Sequence, residues 1–170
     1  MRRPTEGMHL IELLLVLAIL AILALAAIPA YKLTTERHRI KAATEHLLNA
    51  LRGARREAQQ SNQEVYFRFS PHADCVGVSR QQPCECGVVS GCTQNLYFRK
   101  IDLTDYPGVK MQTNLSTQTT FFAPDRGTIG RLGRIRLWTD NYELHIILSM
   151  HRIRACVVSQ SKQLPGYLDC

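Results

Sequence analysis

Gly7-Met8-His9-Leu10-Ile11-Glu12-Leu13-Leu14-Leu15-Val16 opens an apolar run that continues to Ala30 and holds a single charge, Glu12. A helix needs roughly 20 residues to cross about 30 Å of hydrocarbon, so Leu10 to Ala30 is long enough to span a membrane. A secretory signal would carry a shorter apolar core followed by a small-x-small cleavage site. Here Tyr31-Lys32-Leu33 follows instead. Arg2 and Arg3 precede the run and hold the extreme N-terminus in the cytoplasm. A carboxylate near the start of a spanning helix is costly and marks a functional residue, which sets Glu12 apart from a plain anchor.

Working outward, the pattern changes after Pro29 from continuous to periodic. Ile40, Ala43, Leu47, Leu51, Ala54 and Ala58 recur at steps of three and four, the spacing of one helix face. Lys41, Glu45, Arg52, Arg55, Arg56 and Glu57 fall between them as a solvated face. One long helix is expected from about Met8 to about Gln60, bent at Pro29, which lacks an N–H and clashes with the preceding turn. Short runs rich in β-branched and aromatic residues come next: 65–69, 96–101, 119–122, 134–139, 143–148 and 153–158. Turn signals such as Pro107-Gly108 and Pro124-Asp125-Arg126-Gly127 separate them. A helix followed by strands predicts an α+β fold, with the helix laid across an antiparallel sheet.

One hairpin can be registered directly. Asp140-Asn141 is a two-residue turn candidate that sets Thr139 opposite Tyr142. Leu137 then faces Leu144 and Ile135 faces Ile146, apolar against apolar. The same register puts Arg131 level with Met150.

The chain has 170 residues and a formal charge of +7, a surplus that favours polyanionic partners. Four arginines, Arg126, Arg131, Arg134 and Arg136, lie within the eleven residues 126–136, with no acid among them. Gly127, Gly130 and Gly133 among them are expected to let the backbone approach a ligand closely. A second cluster, His151-Arg152-Ile153-Arg154, follows the next strand. The register brings the two clusters to one end of the sheet, where Arg131, Arg134, Arg136, Arg152 and Arg154 form a patch. Arginine suits phosphate because its planar fork donates two parallel hydrogen bonds. The bland alternative is a basic strand edge that discourages edge-to-edge pairing.

Six cysteines suggest disulfides in a head outside the cytoplasm. Cys156 and Cys170 are expected to pair and tie the tail to the last strand, a closure worth about 3 kcal/mol by chain entropy. Cys75, Cys84, Cys86 and Cys92 crowd one segment. Two local disulfides are preferred there over zinc, because the segment lacks a C-x-x-C pair. No catalytic motif is present. Asp102 and Asp105 read as solvated loop residues. No enzyme activity, cofactor or metal is expected.

The N-terminal stretch resembles the class III signal of type IV pilins and pseudopilins. That resemblance implies a leader, residues 1–7, removed after Gly7 by a prepilin peptidase, with Met8 as the methylated new N-terminus. It implies that Glu12, fifth in the mature chain, meets the N-terminal amine of a neighbouring pilin subunit during assembly. Pro29 falls where the family tends to carry a helix-bending proline. Residues 8–30 would then be the membrane and assembly helix. Residues 31–170 would be the head, helical over 31–60 and β-rich over 64–170. Phe122-Ala123-Pro124-Asp125-Arg126-Gly127, and Leu148 to Arg154 after a hairpin, look like the head of FimT/GspH-type minor pilins. In FimT-type proteins a G-R-x-R motif is linked to DNA binding in natural transformation. Gly133-Arg134-Ile135-Arg136 matches it letter for letter, while His151-Arg152-Ile153-Arg154 occupies the usual place in chain order. The resemblance implies a single-pass bacterial inner-membrane protein with a periplasmic head, incorporated into a pilus at the cell surface. A GspH-like pseudopilin of type II secretion, or a pilus-priming subunit without DNA binding, is the alternative.

Overall fold

In a computed structural model the protein is described over residues 6–70, 75–80, 82–86 and 98–170. Helix α1 spans Glu6–Ser61 and includes Pro29. The chain divides into two compact units, one ending at Thr35 and one spanning Glu36–Cys170.

In the first unit the helix is long and apolar enough to cross a membrane, with a window of mean hydropathy 3.0. Its leucines and isoleucines, from Leu10 to Ile28, stand exposed along the whole segment. Gly7 and Met8 lie in its opening turns, and Glu12 is exposed.

The second unit is α+β and contains two sheets, where the strand runs suggest one. Its strands are β1 (Val65–Ser70), β2 (Cys75–Arg80), β3 (Phe98–Asp102), β4 (Lys110–Thr113), β5 (Thr119–Phe122), β6 (Gly133–Trp138), β7 (Glu143–Leu148), β8 (Ile153–Val157) and β9 (Leu168–Asp169). The first sheet runs β3-β2-β1-β5, all antiparallel. The second runs β4-β6-β7-β8-β9, antiparallel except for β9 beside β8. The expected strand at 96–101 begins at Phe98 among the described residues; Leu96 and Tyr97 lie outside them.

The expected helix stripe is the buried face. Ile40, Ala43, Leu47, Leu51, Ala54 and Ala58 join a single core with Phe67, Phe69 and Phe122 of the first sheet and Ile135, Leu137, Leu144, Ile146 and Leu148 of the second. Thr44 is buried on the same face, its hydroxyl donating to the Ile40 carbonyl at 2.8 Å. A helix stripe and two alternating strand faces thus exclude water together, the main driving force for this fold.

The β6–β7 register is as the turn predicts: Leu137 opposite Leu144 and Ile135 opposite Ile146. The Thr139 amide donates to the Tyr142 carbonyl at 2.9 Å across the Asp140-Asn141 turn. Glu36 caps that turn, accepting from the Asn141 amide at 2.8 Å and from Asn141 Nδ2 at 2.9 Å. Burial pushes the Glu36 carboxyl up, but hydrogen bonds from Thr139 and Asn141 outweigh it and hold the group below its ordinary value.

The pairing ends at Gly133 and Leu148, so Arg131 does not sit level with Met150. Residues 129–131 follow the edge of β5 instead. Ile129 bridges Phe122, the Gly130 amide donates to the Phe121 carbonyl at 2.9 Å, and the Thr120 hydroxyl donates to the Arg131 carbonyl at 2.9 Å. It is the Ile129 amide that reaches the Met150 carbonyl, at 3.0 Å. The chain crosses from the first sheet to the second between Arg131 and Gly133.

Cys156 and Cys170 are joined, as expected. The bond fixes β9 and the tail, and Tyr167 donates to Glu45 on α1 at 2.6 Å. Burial and that hydrogen bond raise the Tyr167 hydroxyl well above its ordinary value. Cys75 is joined to Cys86, and Cys84 is disulfide-bonded too, which removes these three sulfurs as zinc ligands. Cys92 lies outside the described residues.

Candidate functional site

Strand alternation sends Ile135 and Leu137 inward and leaves Arg134, Arg136 and Trp138 on the opposite, open face of the second sheet. The ladder then sorts this face into cross-strand rows. One row reads Arg134, Ile147, Arg154. The next reads Gln112, Arg136, His145, Cys156. A third reads Lys110, Trp138, Glu143. Beyond the first row the β7–β8 turn closes with Ser149 and Arg152 hydrogen-bonded reciprocally, at 2.9 and 3.2 Å. Arg152 therefore neighbours Arg154 along one edge of the face. Neighbouring strands lie about 4.8 Å apart, so the β6 and β8 arginines form two columns about 10 Å apart.

These arginines differ in what holds them. Arg134, Arg152 and Arg154 are exposed, and none has an ion-pair partner among the described residues. Arg136 is engaged: Nε lies 2.6 Å from Glu143 Oε1 and Nη2 donates to Oε2 at 2.9 Å. Its guanidinium also covers the Trp138 ring, 4.7 Å from the centroid. His145 Nε2 lies 2.9 Å from the same Glu143 Oε1. Burial raises the Glu143 carboxyl, but hydrogen bonds from Arg136 and His145 win and leave it below its ordinary value. Glu143 thus stays ionised and cancels much of the Arg136 charge.

Between β4 and β6 lies a hollow of about 180 Å³ lined by Gln112, Thr113, Asn114, Arg134 and Arg136. Asn114 Oδ1 accepts from the Arg134 amide at 2.7 Å. That bond turns the Asn114 NH2 group away as a further donor.

Arg131 is not in this array. It stands at the first sheet's edge, with Nη1 donating to Thr117 Oγ1 at 2.6 Å. The glycines of this segment leave no room for a side chain where a Cβ would point. A Cβ on Gly133 would meet Asn114 Oδ1 and Leu115 at 2.7 Å, and one on Gly130 would enter the Phe121 ring at 1.9 Å. On Gly127, where φ is +61°, it would meet Arg55 at 2.8 Å. The space at each is filled by the protein's own side chains.

Arg55 is the residue that helix periodicity misreads. It lies on the polar side of the stripe yet reaches the His151 carbonyl at 3.0 Å and the Arg126 carbonyl at 3.4 Å. It ties the loop before β6 to the β7–β8 turn. Glu57 likewise is not simply solvated but pairs with Arg80. Asp102 caps its own loop, with Lys100 at 2.7 Å and Thr104 Oγ1 donating at 2.8 Å. Hydrogen bonds from Lys100 and Thr104 lower its pKa to about 2.

No family model, no curated protein and no solved structure matches the chain.

Proposed function

We propose that the protein is a minor type IV pilin whose head binds DNA without sequence preference, for uptake in natural transformation. One observation carries the DNA-binding half: Arg134 and Arg154 stand exposed in one row of an open sheet face, with Arg152 beside them and no carboxylate partner among the described residues. Free guanidinium groups at that density suit phosphates, which give affinity but no sequence information. Arg136 is a weaker contributor because Glu143 competes for it, and Arg131 supplies charge from the neighbouring edge.

The pilin half rests on the Gly7-to-Glu12 stretch and the apolar helix behind it. In this reading prepilin peptidase cuts after Gly7, and Met8 becomes the methylated terminus. Glu12 pairs with a neighbouring subunit's amine in the inner membrane before the head reaches the filament.

Two experiments separate the halves. The full chain in neutral detergent micelles should shift duplexes of unrelated sequence equally at low salt. No shift would leave the arginines as subunit contacts in a pseudopilus. Gly7→Val should leave an uncleaved precursor, while the native chain should begin at Met8 by mass spectrometry. A mature N-terminus beyond Ala30 would remove the pilin reading.

A further inference from the structure

The arginine-rich end of the second sheet also carries two large apolar side chains that a purely electrostatic site does not need. Leu132 is 53% exposed and Met150 is 55% exposed. Among the described residues of Glu36–Cys170, the other exposed side chain of this kind is Leu168 in β9. Leu132 and Met150 both lie just past the last ladder pair, Gly133 and Leu148. Leu132 directly precedes β6, where the chain crosses between the sheets. Met150 sits in the turn closed by Ser149 and Arg152.

Hydrogen bonds and packed neighbours flank both positions. Ahead of Leu132, the Gly130 amide is bonded to Phe121 and the Phe121 ring fills the space of a Gly130 side chain. Behind it, Asn114 and Leu115 fill the space at Gly133. The Met150 carbonyl is held by the Ile129 amide, and Arg55 holds the His151 carbonyl next to it. Large apolar groups fixed in water gain nothing from folding and gain from any partner that covers them. Close to them in the chain, Arg134, His151, Arg152 and Arg154 are exposed. The fitting partner is a polyanion with an apolar layer behind its phosphates.

Duplex DNA and an anionic bilayer both answer that description. Two side chains are a small area for membrane attachment, which draws on a whole helix face or an acyl chain. They match a base-step wedge, for which minor-groove proteins insert apolar side chains such as Leu and Met. We propose that Leu132 and Met150 enter the minor groove as a wedge, partly unstacking a base step while Arg134, Arg152 and Arg154 hold the flanking phosphates. This rests on the DNA-binding reading and adds a mode of contact to it.

The test uses the full chain in neutral micelles with a duplex carrying end dyes for bend and 2-aminopurine for unstacking. Native protein should bend the duplex by about 20–90° and raise 2-aminopurine emission. Leu132→Ser with Met150→Ser, both at exposed positions, should abolish bend and emission and weaken binding by at least about tenfold. The salt dependence should be unchanged, because no phosphate contact is lost. Leu132→Met should retain the bend. A double variant that keeps bend and affinity would overturn the wedge while leaving DNA binding intact. Native protein that leaves the duplex straight yet loses binding to phosphatidylserine vesicles on the same substitution would assign the pair to a membrane instead. Native protein that binds no DNA at low salt would overturn both the wedge and the function beneath it.

Discussion

The two sheets bury similar apolar faces and treat their outer faces in opposite ways. On the first sheet's outer face two cations lie beside acids: Arg68 is 3.6 Å from Glu85 and Lys100 is 2.7 Å from Asp102, while on the helix side Arg80 pairs with Glu57. The middle of that outer face is also covered: Cys75, Gly77 and Ser79 are buried, and Ser79 donates to the Gln82 carbonyl at 2.6 Å. In the second sheet one acid, Glu143, faces the arginine rows, and it is committed to Arg136 and His145. On the proposed DNA-binding reading, net charge is therefore a poor guide to affinity. What matters is charge left without a partner, because an arginine already holding a carboxylate must give it up before it can take a phosphate.

Copying the first sheet's arrangement onto the second should erase that difference. Ile147→Glu would place a carboxylate between Arg134 and Arg154 in their own row. DNA affinity should fall by about 100-fold, roughly two phosphate contacts' worth, with the fold intact by circular dichroism. An unchanged affinity would show that the row is not the contact.

Loosening the support should act on stability more than on charge. Arg55→Ala removes two hydrogen bonds and the stem packed over Gly127. Urea unfolding should show a loss of about 2 kcal/mol. The same change at Arg52, on the exposed side of the helix, should cost less than about 0.5 kcal/mol.

Releasing the engaged arginine should move binding the other way. Glu143→Gln frees Arg136 and should tighten DNA binding about fivefold, steepening the salt slope by about 0.9. A slope that stays flat would mean that Arg136 remains fixed on Trp138.

Acid should weaken the head through the same carboxyls. Glu36 and Glu143 have lowered values in the folded state, so their contribution is fully present above the unfolded value of 4.5. It is lost as pH falls through the lower folded values. The melting temperature should therefore drop below about pH 4.5. The drop should be smaller in Glu36→Gln, which starts without that contribution. Smallest of all, Arg68→Gln with Lys100→Gln should change DNA affinity less than about twofold, because both cations are already paired.

Local chemistry made much of this fold legible. The helix stripe from Ile40 to Ala58, the β6–β7 register and the Cys156–Cys170 bond each follow from spacing over a few residues or from one compatible pair. Strand β2 was not legible: Cys75-Val76-Gly77-Val78-Ser79-Arg80 is buried on both faces and shows no alternation. Strand β9 is too short to signal, at two residues, and β4, Lys110-Met111-Gln112-Thr113, carries a single large apolar residue. The arginine cluster was legible in its residue types and its end of the sheet, but not in its face or its exclusions. Arg131 leaves the hairpin because Ile129 pairs with Phe122, a contact the register cannot foresee. The glycines look like ligand clearance until Phe121, Leu115, Asn114 and Arg55 arrive from elsewhere to fill them. Arg55 sits 96 residues from the carbonyl it holds, beyond any local pattern.

Salt dependence separates unpaired from total charge as the source of the proposed DNA binding. Log K against log salt should be measured for the native chain, for Arg134→Gln with Arg154→Gln, and for Arg68→Gln with Lys100→Gln. All three samples should be full chain in the same neutral micelles. Both double variants remove two positive charges. The Arg134/Arg154 variant should bind more weakly on every sequence and lose about 1.8 units of slope, while the Arg68/Lys100 variant should follow the native line. Equal losses in the two variants would contradict the account and leave bulk charge as the explanation.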